Sequence, residues 1–345
     1  MLLVSLSAVF VFVQAVIAAS RTSPPSGAVV VRAGTSTSGE FKTVQSAVNS
    51  LPNDSSARSI FIYPGTYTEQ VYITRAGPLT IYGYTDDTST YTKNQATITF
   101  NAGTDTAGSN DASGTLRIHK DDFKMYNVNV KNTRTGIQAG AISEYGNRAG
   151  FYACSFTGYQ DTLYANDGTQ VYLKGYIEGK TDFIYGRRGR AYFGGNTIAV
   201  KGPGYVTASG RQSDDAGSYV FNANTIVQAS GAESGTAGGY YLGRPWSRTH
   251  QEATFHDITA YAKVIFKNTV LNVAPKKELW SLWNGDSASV SNALLADYNT
   301  SGPGASGLAR ASFAKVLSAS EANSYSISSA VGSDYGNWVD SAYLV

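Results

Sequence analysis

Tyr152-Ala153-Cys154-Ser155-Phe156 returns in kind as Tyr172-Leu173-Lys174-Gly175-Tyr176 and again as Tyr192-Phe193-Gly194-Gly195-Asn196, at steps of 20 residues. Tyr126-Asn127-Val128-Asn129-Val130 stands 26 residues before the first of them. Phe221-Asn222-Ala223-Asn224-Thr225-Ile226-Val227 and Val264-Ile265-Phe266-Lys267-Asn268-Thr269-Val270 read as later members. Each is a short apolar and aromatic run of strand character. No helical linker separates them. Short strands at a period of roughly 20–30 residues, without crossover helices, predict an all-β solenoid whose rungs stack as parallel strands. A β-sandwich is the second architecture, but it would show hairpin turns more regularly. No linker divides the chain, so residues 20–345 are expected to form one domain.

Outward from the repeat, the N-terminal third carries further short strands: Ala28-Val29-Val30-Val31, Ser59-Ile60-Phe61-Ile62-Tyr63 and Leu79-Thr80-Ile81-Tyr82-Gly83-Tyr84. One segment has a different period. Val44, Ala47, Val48 and Leu51 fall at helical spacing and Pro52 ends the run. This short helix is expected to cap the start of the solenoid. The polar stretch from Thr85 to Ser113 reads as a loop-bearing segment.

Two acids sit in matching settings. Asp161 lies in Tyr159-Gln160-Asp161-Thr162-Leu163-Tyr164, and Asp182 opens Asp182-Phe183-Ile184-Tyr185-Gly186 21 residues later. Asp161 follows Tyr152 by 9 residues and Asp182 follows Tyr172 by 10. If those tyrosines are equivalent, the carboxyls are neighbours on adjacent rungs, ~4.8 Å apart. A carboxylate among apolar residues costs free energy unless paired or used. Two of them suggest one group that attacks or takes a proton and another that gives one. Gln160 adjoins Asp161, and Gln138 falls on the rung before; both amides could donate to a developing oxyanion. The plainer reading makes each Asp the cap of a turn between rungs.

Other chemistries lack an anchor. The net charge of +2 gives no basic field for nucleic acid. His119, His250 and His256 form no metal-binding spacing. No Gly-x-Ser-x-Gly elbow is present. Gly175-Tyr176-Ile177-Glu178-Gly179-Lys180-Thr181 is one residue short of a phosphate loop. The one cysteine, Cys154, lies in an apolar run and reads as a small core residue. Residues 1–19 are apolar and end in small residues, the pattern of a cleaved signal peptide. The run is short for a membrane span, so a secreted, extracellular protein is expected. Asn53-Asp54-Ser55 and Asn299-Thr300-Ser301 are then glycosylation sequons.

At these residues the chain resembles the pectin methylesterase (pectinesterase) family of fungal type. The matching stretches are Gly65-Thr66-Tyr67-Thr68-Glu69, Gln138-Ala139, the Asp161 and Asp182 segments, Tyr205-Val206-Thr207-Ala208-Ser209-Gly210-Arg211, Leu242-Gly243-Arg244-Pro245-Trp246 and Tyr298-Asn299-Thr300-Ser301-Gly302-Pro303-Gly304. They stand in the family's order. The resemblance implies a right-handed parallel β-helix that demethylates galacturonate esters in pectin, with no metal or organic cofactor. It implies Asp182 as nucleophile, Asp161 as general acid then base, and Gln138 and Gln160 as oxyanion hole. It implies that Arg244 keeps Asp182 ionised and that Trp246 is a platform for a sugar ring. Tyr159 and Tyr185 are further substrate-binding candidates. No membrane partner is expected, and a monomer is the default.

Two stretches depart from the family. Gln138-Ala139-Gly140-Ala141-Ile142-Ser143 is less apolar than the usual form, and Gly186 is followed by Arg187-Arg188-Gly189-Arg190 instead of small residues. These cations read either as a solvated turn or as a site for the carboxylates of partly de-esterified pectin. Two other functions stay open. A glycoside hydrolase on a similar solenoid can use two aspartates, and a polysaccharide-binding solenoid would need neither.

Overall fold

Tyr126-Asn127-Val128-Asn129-Val130 is not one strand but the end of one and the start of the next. In the computed structural model, which describes residues 19–247 and 261–345, Phe123–Tyr126 and Val128–Asn132 are separate strands with Asn127 turned between them at φ 54°. The same corner recurs at Ala153 (φ 49°), Lys174 (53°), Gly195 (64°), Ala223 (54°) and Asn268 (53°). Each corner N–H donates to a carbonyl on the rung above, Asn127 to Tyr152 at 3.0 Å, Ala153 to Leu173 at 2.9 Å and Lys174 to Gly194 at 2.9 Å. A tight turn in the left-handed region thus leaves no corner donor unpaired.

Each circuit of the chain lays down one strand in each of three sheets, of 12, 8 and 7 strands. Phe123–Tyr126 enters the first, Val128–Asn132 the second and Ile142–Glu144 the third; Ala149–Tyr152 then returns to the first, parallel to where the circuit began. The expected solenoid is therefore present, with its corners where strands had been expected to start.

The register corrects the reading of the tyrosines. Tyr152 pairs with Tyr126, but Leu173 pairs with Tyr152 and Gly194 with Leu173. Tyr172 stands one residue off that column, beside Phe151, and Tyr192 two residues off, beside Val171. A slip of one residue changes the face of the sheet. Tyr172 consequently points into the coil, stacked 4.8 Å from both Phe151 and Phe193, and the ladder continues through Phe221 and Phe266. Tyr126 and Tyr152 stack 4.6 Å apart on the opposite face. Aromatics on both faces hid the slip.

The helix Val44–Ser50 is capped by Thr43 and buries Val44, Ala47 and Val48 in the core with Val31 and Ile73. The Glu69 carboxylate accepts the N–H groups of Val44 and Gln45 at 2.7 and 2.8 Å, so it works at that helix start. The segment read as loop-bearing contains a strand, Ala96–Phe100, paired with Gly65–Thr68 and Val128–Asn132 in the second sheet. The outer face of the first sheet is covered by the C-terminal helices Ala319–Ser324 and Ile327–Val331, whose Ala322, Ala330 and Val331 pack with Tyr152, Val171 and Val220. Cys154 is a buried core residue, its thiol pushed up to about 12 by burial. Both sequon asparagines are exposed. Apart from Ala19, the expected signal peptide lies outside the described residues. Among the described residues no helix is long and apolar enough to cross a membrane.

Candidate active site

The strands Leu163–Ala165 and Ile184–Gly186 pair in the third sheet, Leu163 beside Ile184 and Tyr164 beside Tyr185. Asp161 and Asp182 each stand two residues before the start of that register, so the two acids are in step on adjacent rungs. Gln160 bridges Thr181 in parallel, and the Asp161 N–H donates to the Thr181 carbonyl at 3.1 Å. Both acids have left-handed backbone, φ 63° and 51°. Asp tolerates this region better than most residues with a Cβ. Each of the two residues is only 6% exposed.

Arg244 comes from two rungs further on. In the outward-facing column of the third sheet, Tyr185 is followed by Ala208 and then Arg244. Ala208 has only a methyl, which leaves room for the guanidinium to reach back to Asp182. Arg244 Nε donates to Asp182 Oδ1 at 3.0 Å and an Nη to Oδ2 at 2.6 Å, a two-pronged charge-assisted pair. Rings hold the guanidinium in place, Tyr205 at 3.9 Å and Trp283 at 4.2 Å.

The electrostatics split the pair. Burial, with the charge of Asp182 beside it, pushes the Asp161 carboxyl well above the usual carboxylate range, and the more distant Arg244 charge offsets only part of this. Burial also raises Asp182, but the Arg244 hydrogen bonds and charge pull it back. Asp182 therefore ionises before Asp161. In the pH range between the two, one carboxylate and one carboxylic acid share one cavity, the arrangement needed for attack with protonation of a leaving group.

That cavity, about 210 Å³, is lined by Gln138, Gln160, Asp161, Asp182, Tyr185, Arg244 and Trp246. The structure thus brings together seven of the eight residues singled out from the sequence. Tyr185 is its floor, 2% exposed and stacked 4.4 Å from Tyr164. Trp246 meets Tyr185 edge-on at 5.9 Å and remains half-buried. Tyr159 is the exception. It lines a different depression with Glu178 and Lys201. Its hydroxyl donates to Glu233 and accepts from Lys180 at 3.1 Å. It is not part of this cavity.

The basic turn is divided. Arg188 pairs with Asp167 at 2.7 Å, and Arg190 Nε donates to the Ala330 carbonyl at 3.1 Å. Arg187 lies with its guanidinium 3.8 Å over the ring of Trp246. Sequence reasoning missed Asn110, Ala208 and Trp283 in the cavity wall. Ala208 could have been found from the column logic above. Asn110 and Trp283 sit outside the strands, where no periodicity marks them.

A sequence model of the Pectinesterase family matches residues 28–334. The pectinesterase of Aspergillus niger is 38% identical over 348 aligned positions, covering 99% of each chain. The crystal structure of a pectin methylesterase from Aspergillus niger is similar at TM-score 0.83 and 36% identity, covering 94% of this chain and all of that one. Pectin methylesterase from carrot, at 24% identity and TM-score 0.77 over 92% of this chain and 96% of that one, shares the fold. That fold is the right-handed parallel β-helix.

Proposed function

The chain belongs to the pectinesterase family, a carboxylic ester hydrolase that demethylates pectin, and from that premise we propose which residues perform the reaction. Asp182 attacks the ester carbonyl of a methylated galacturonate with one Oδ, forming a tetrahedral centre. The amide N–H groups of Gln138 and Gln160 receive the negative charge on the former carbonyl oxygen. The C–O bond to the methoxyl breaks as Asp161 gives its proton to the departing oxygen, releasing methanol and leaving an acyl anhydride on Asp182. Asp161, now a carboxylate, takes a proton from water. The hydroxide oxygen adds to the acyl carbon, the anhydride bond breaks, and Asp182 is restored with free galacturonate as product. Trp246 and Tyr185 hold the sugar.

The observation that carries this reading is the asymmetry of two buried, in-register acids, of which only Asp182 has the Arg244 fork. The test is methanol release from highly methylated pectin, with reducing ends assayed alongside. Wild type should release methanol without new reducing ends, and Asp182→Asn should lower the rate on the order of 10³-fold or more. New reducing ends would instead assign the acids to glycoside cleavage.

We also infer that the protein is secreted after loss of residues 1–19 and acts as a monomer. A mature N-terminus near Ser20 and a mass near that of one chain by light scattering are the expected results.

A further inference from the structure

Gln138 is gripped twice by one residue. The backbone N–H of Thr104 donates to the Gln138 carbonyl at 2.9 Å. The Thr104 hydroxyl donates to Gln138 Oε1 at 3.1 Å. Thr104 opens the single helical turn Thr104–Ala107, and the approach depends on the residue before it. A Cβ on Gly103 would lie 2.5 Å from Ile137 Cγ2 and 2.6 Å from Asp105 Oδ1, closer than atoms tolerate. Glycine is what lets this turn settle against Ile137 and Gln138. Buried Asn132 ties the same segments together, its Nδ2 2.9 Å from both the Ala102 and the Gly140 carbonyls.

A glutamine amide has an acceptor edge and a donor edge of nearly the same shape, so packing alone does not select between them. The choice decides catalysis. The N–H edge turned to the cavity stabilises a developing oxyanion; the Oε1 edge would repel it. A hydroxyl can meet either edge, so the choice is made jointly: the Asp182 carboxylate in the same cavity favours the donor edge there, and the Thr104 hydroxyl, donating to Oε1, holds the amide in that orientation. We propose that Thr104 is a positioning residue that holds the Gln138 amide with its N–H edge toward the ester. This rests on Gln138 being an oxyanion donor.

Four variants test it in the full-length enzyme: Thr104→Val, Thr104→Ser, Gln138→Ala and the Thr104→Val/Gln138→Ala pair. Rates of methanol release give kcat and KM, and thermal unfolding is followed in parallel. Thr104→Val keeps the shape and loses the donor; kcat should fall ~10-fold with KM within about twofold. Thr104→Ser should recover most of the loss. In the Gln138→Ala background the valine should cost less than about twofold more, since there is no amide left to orient. If the valine lowers kcat equally in both backgrounds, or leaves it unchanged while Gln138→Ala lowers it, the positioning role is overturned and the oxyanion assignment stands. If Gln138→Ala itself leaves kcat unchanged, both fall. Should the valine variant unfold early, Thr104→Ala reads the same loss without the second methyl.

Discussion

Two corners of the coil use the same backbone conformation for different ends. Between the first and second sheets, Asn127, Ala153, Lys174, Ala223 and Asn268 all sit in the left-handed region, at φ between 49° and 54°. The residue there differs from rung to rung, because what the corner has in common is a sharp turn and an N–H aimed at the next rung. On the approach to the third sheet, left-handed backbone appears at Asp161 and Asp182. Their counterpart on the preceding rung is Gly140, two residues before Ile142. A residue with a Cβ loses about 1–2 kcal/mol in this conformation, somewhat less for Asp. At the first corner a hydrogen-bonded ladder offsets that cost. At the second, the conformation sets two carboxyls in register, and the energy held there serves chemistry.

The comparison breaks most visibly at Asp161. Asp161→Gly should be comfortable at φ 63° and should remove a buried carboxyl whose ionisation the fold opposes. Methanol release should fall on the order of 10³-fold while the fold persists. The stability change has a defined sign. The folded Asp161 carboxyl is raised well above its ordinary value, so folded protein keeps a proton that unfolded chain releases. Wild-type stability therefore falls as pH rises above the ordinary carboxylate range toward that raised value. The glycine variant lacks this fall, so its advantage in Tm should be larger at neutral pH than near pH 4. A variant that unfolds early at every pH would show that this corner, like the first, is chiefly architectural.

Arg244 sharpens the comparison by a smaller step. It is what makes the two acids unequal, through contacts of 3.0 and 2.6 Å to Asp182 alone. Arg244→Gln should lower kcat and also raise the Asp182 pKa further. Because Asp182 must be ionised to attack, the acidic limb of the kcat/KM profile should move to higher pH. A reduced rate with an unmoved limb would mean that Arg244 holds the sugar and not the charge.

The sequence made the pairing of Asp161 and Asp182 legible because their separation of 21 residues equals the true rung spacing, as Leu163 beside Ile184 shows. It did so despite a slip at the tyrosines used as landmarks. The corners stayed hidden because left-handed backbone is not written in residue identity when Ala and Lys stand at these positions alongside Asn. Arg244 was legible only through its Gly-Arg-Pro-Trp setting, since 62 residues separate it from Asp182. Tyr159 was grouped with the cavity because it adjoins Gln160, but the chain bends there and its side chain lines another depression. The C-terminal helices were overlooked although Ser318-Ala319-Ser320-Glu321 carries a capping box, which the structure forms with Ser318 and Glu321. Asn110 and Trp283 reach the cavity from segments whose course is set by long-range packing, and no local pattern marks them.

The smallest effect comes from the corner that has no chemistry. Ala223 is exposed, sits at φ 54°, and donates its N–H to the Lys267 carbonyl at 3.1 Å. Ala223→Gly leaves that backbone bond intact and removes a Cβ that the conformation disfavours. Relief of about 1–2 kcal/mol is set against roughly 0.4–1 kcal/mol of added freedom in the unfolded chain. The net is a gain of about 0.5–1 kcal/mol, visible as a Tm higher by about 1–3 °C, with methanol release unchanged. A glycine at Asp161 should leave the protein at least as stable and inactive; a glycine at Ala223 should leave it slightly more stable and fully active. If instead Ala223→Gly lowers Tm, the left-handed corner is held by the side chain and not by the ladder, and the two corners are less alike than their φ angles suggest.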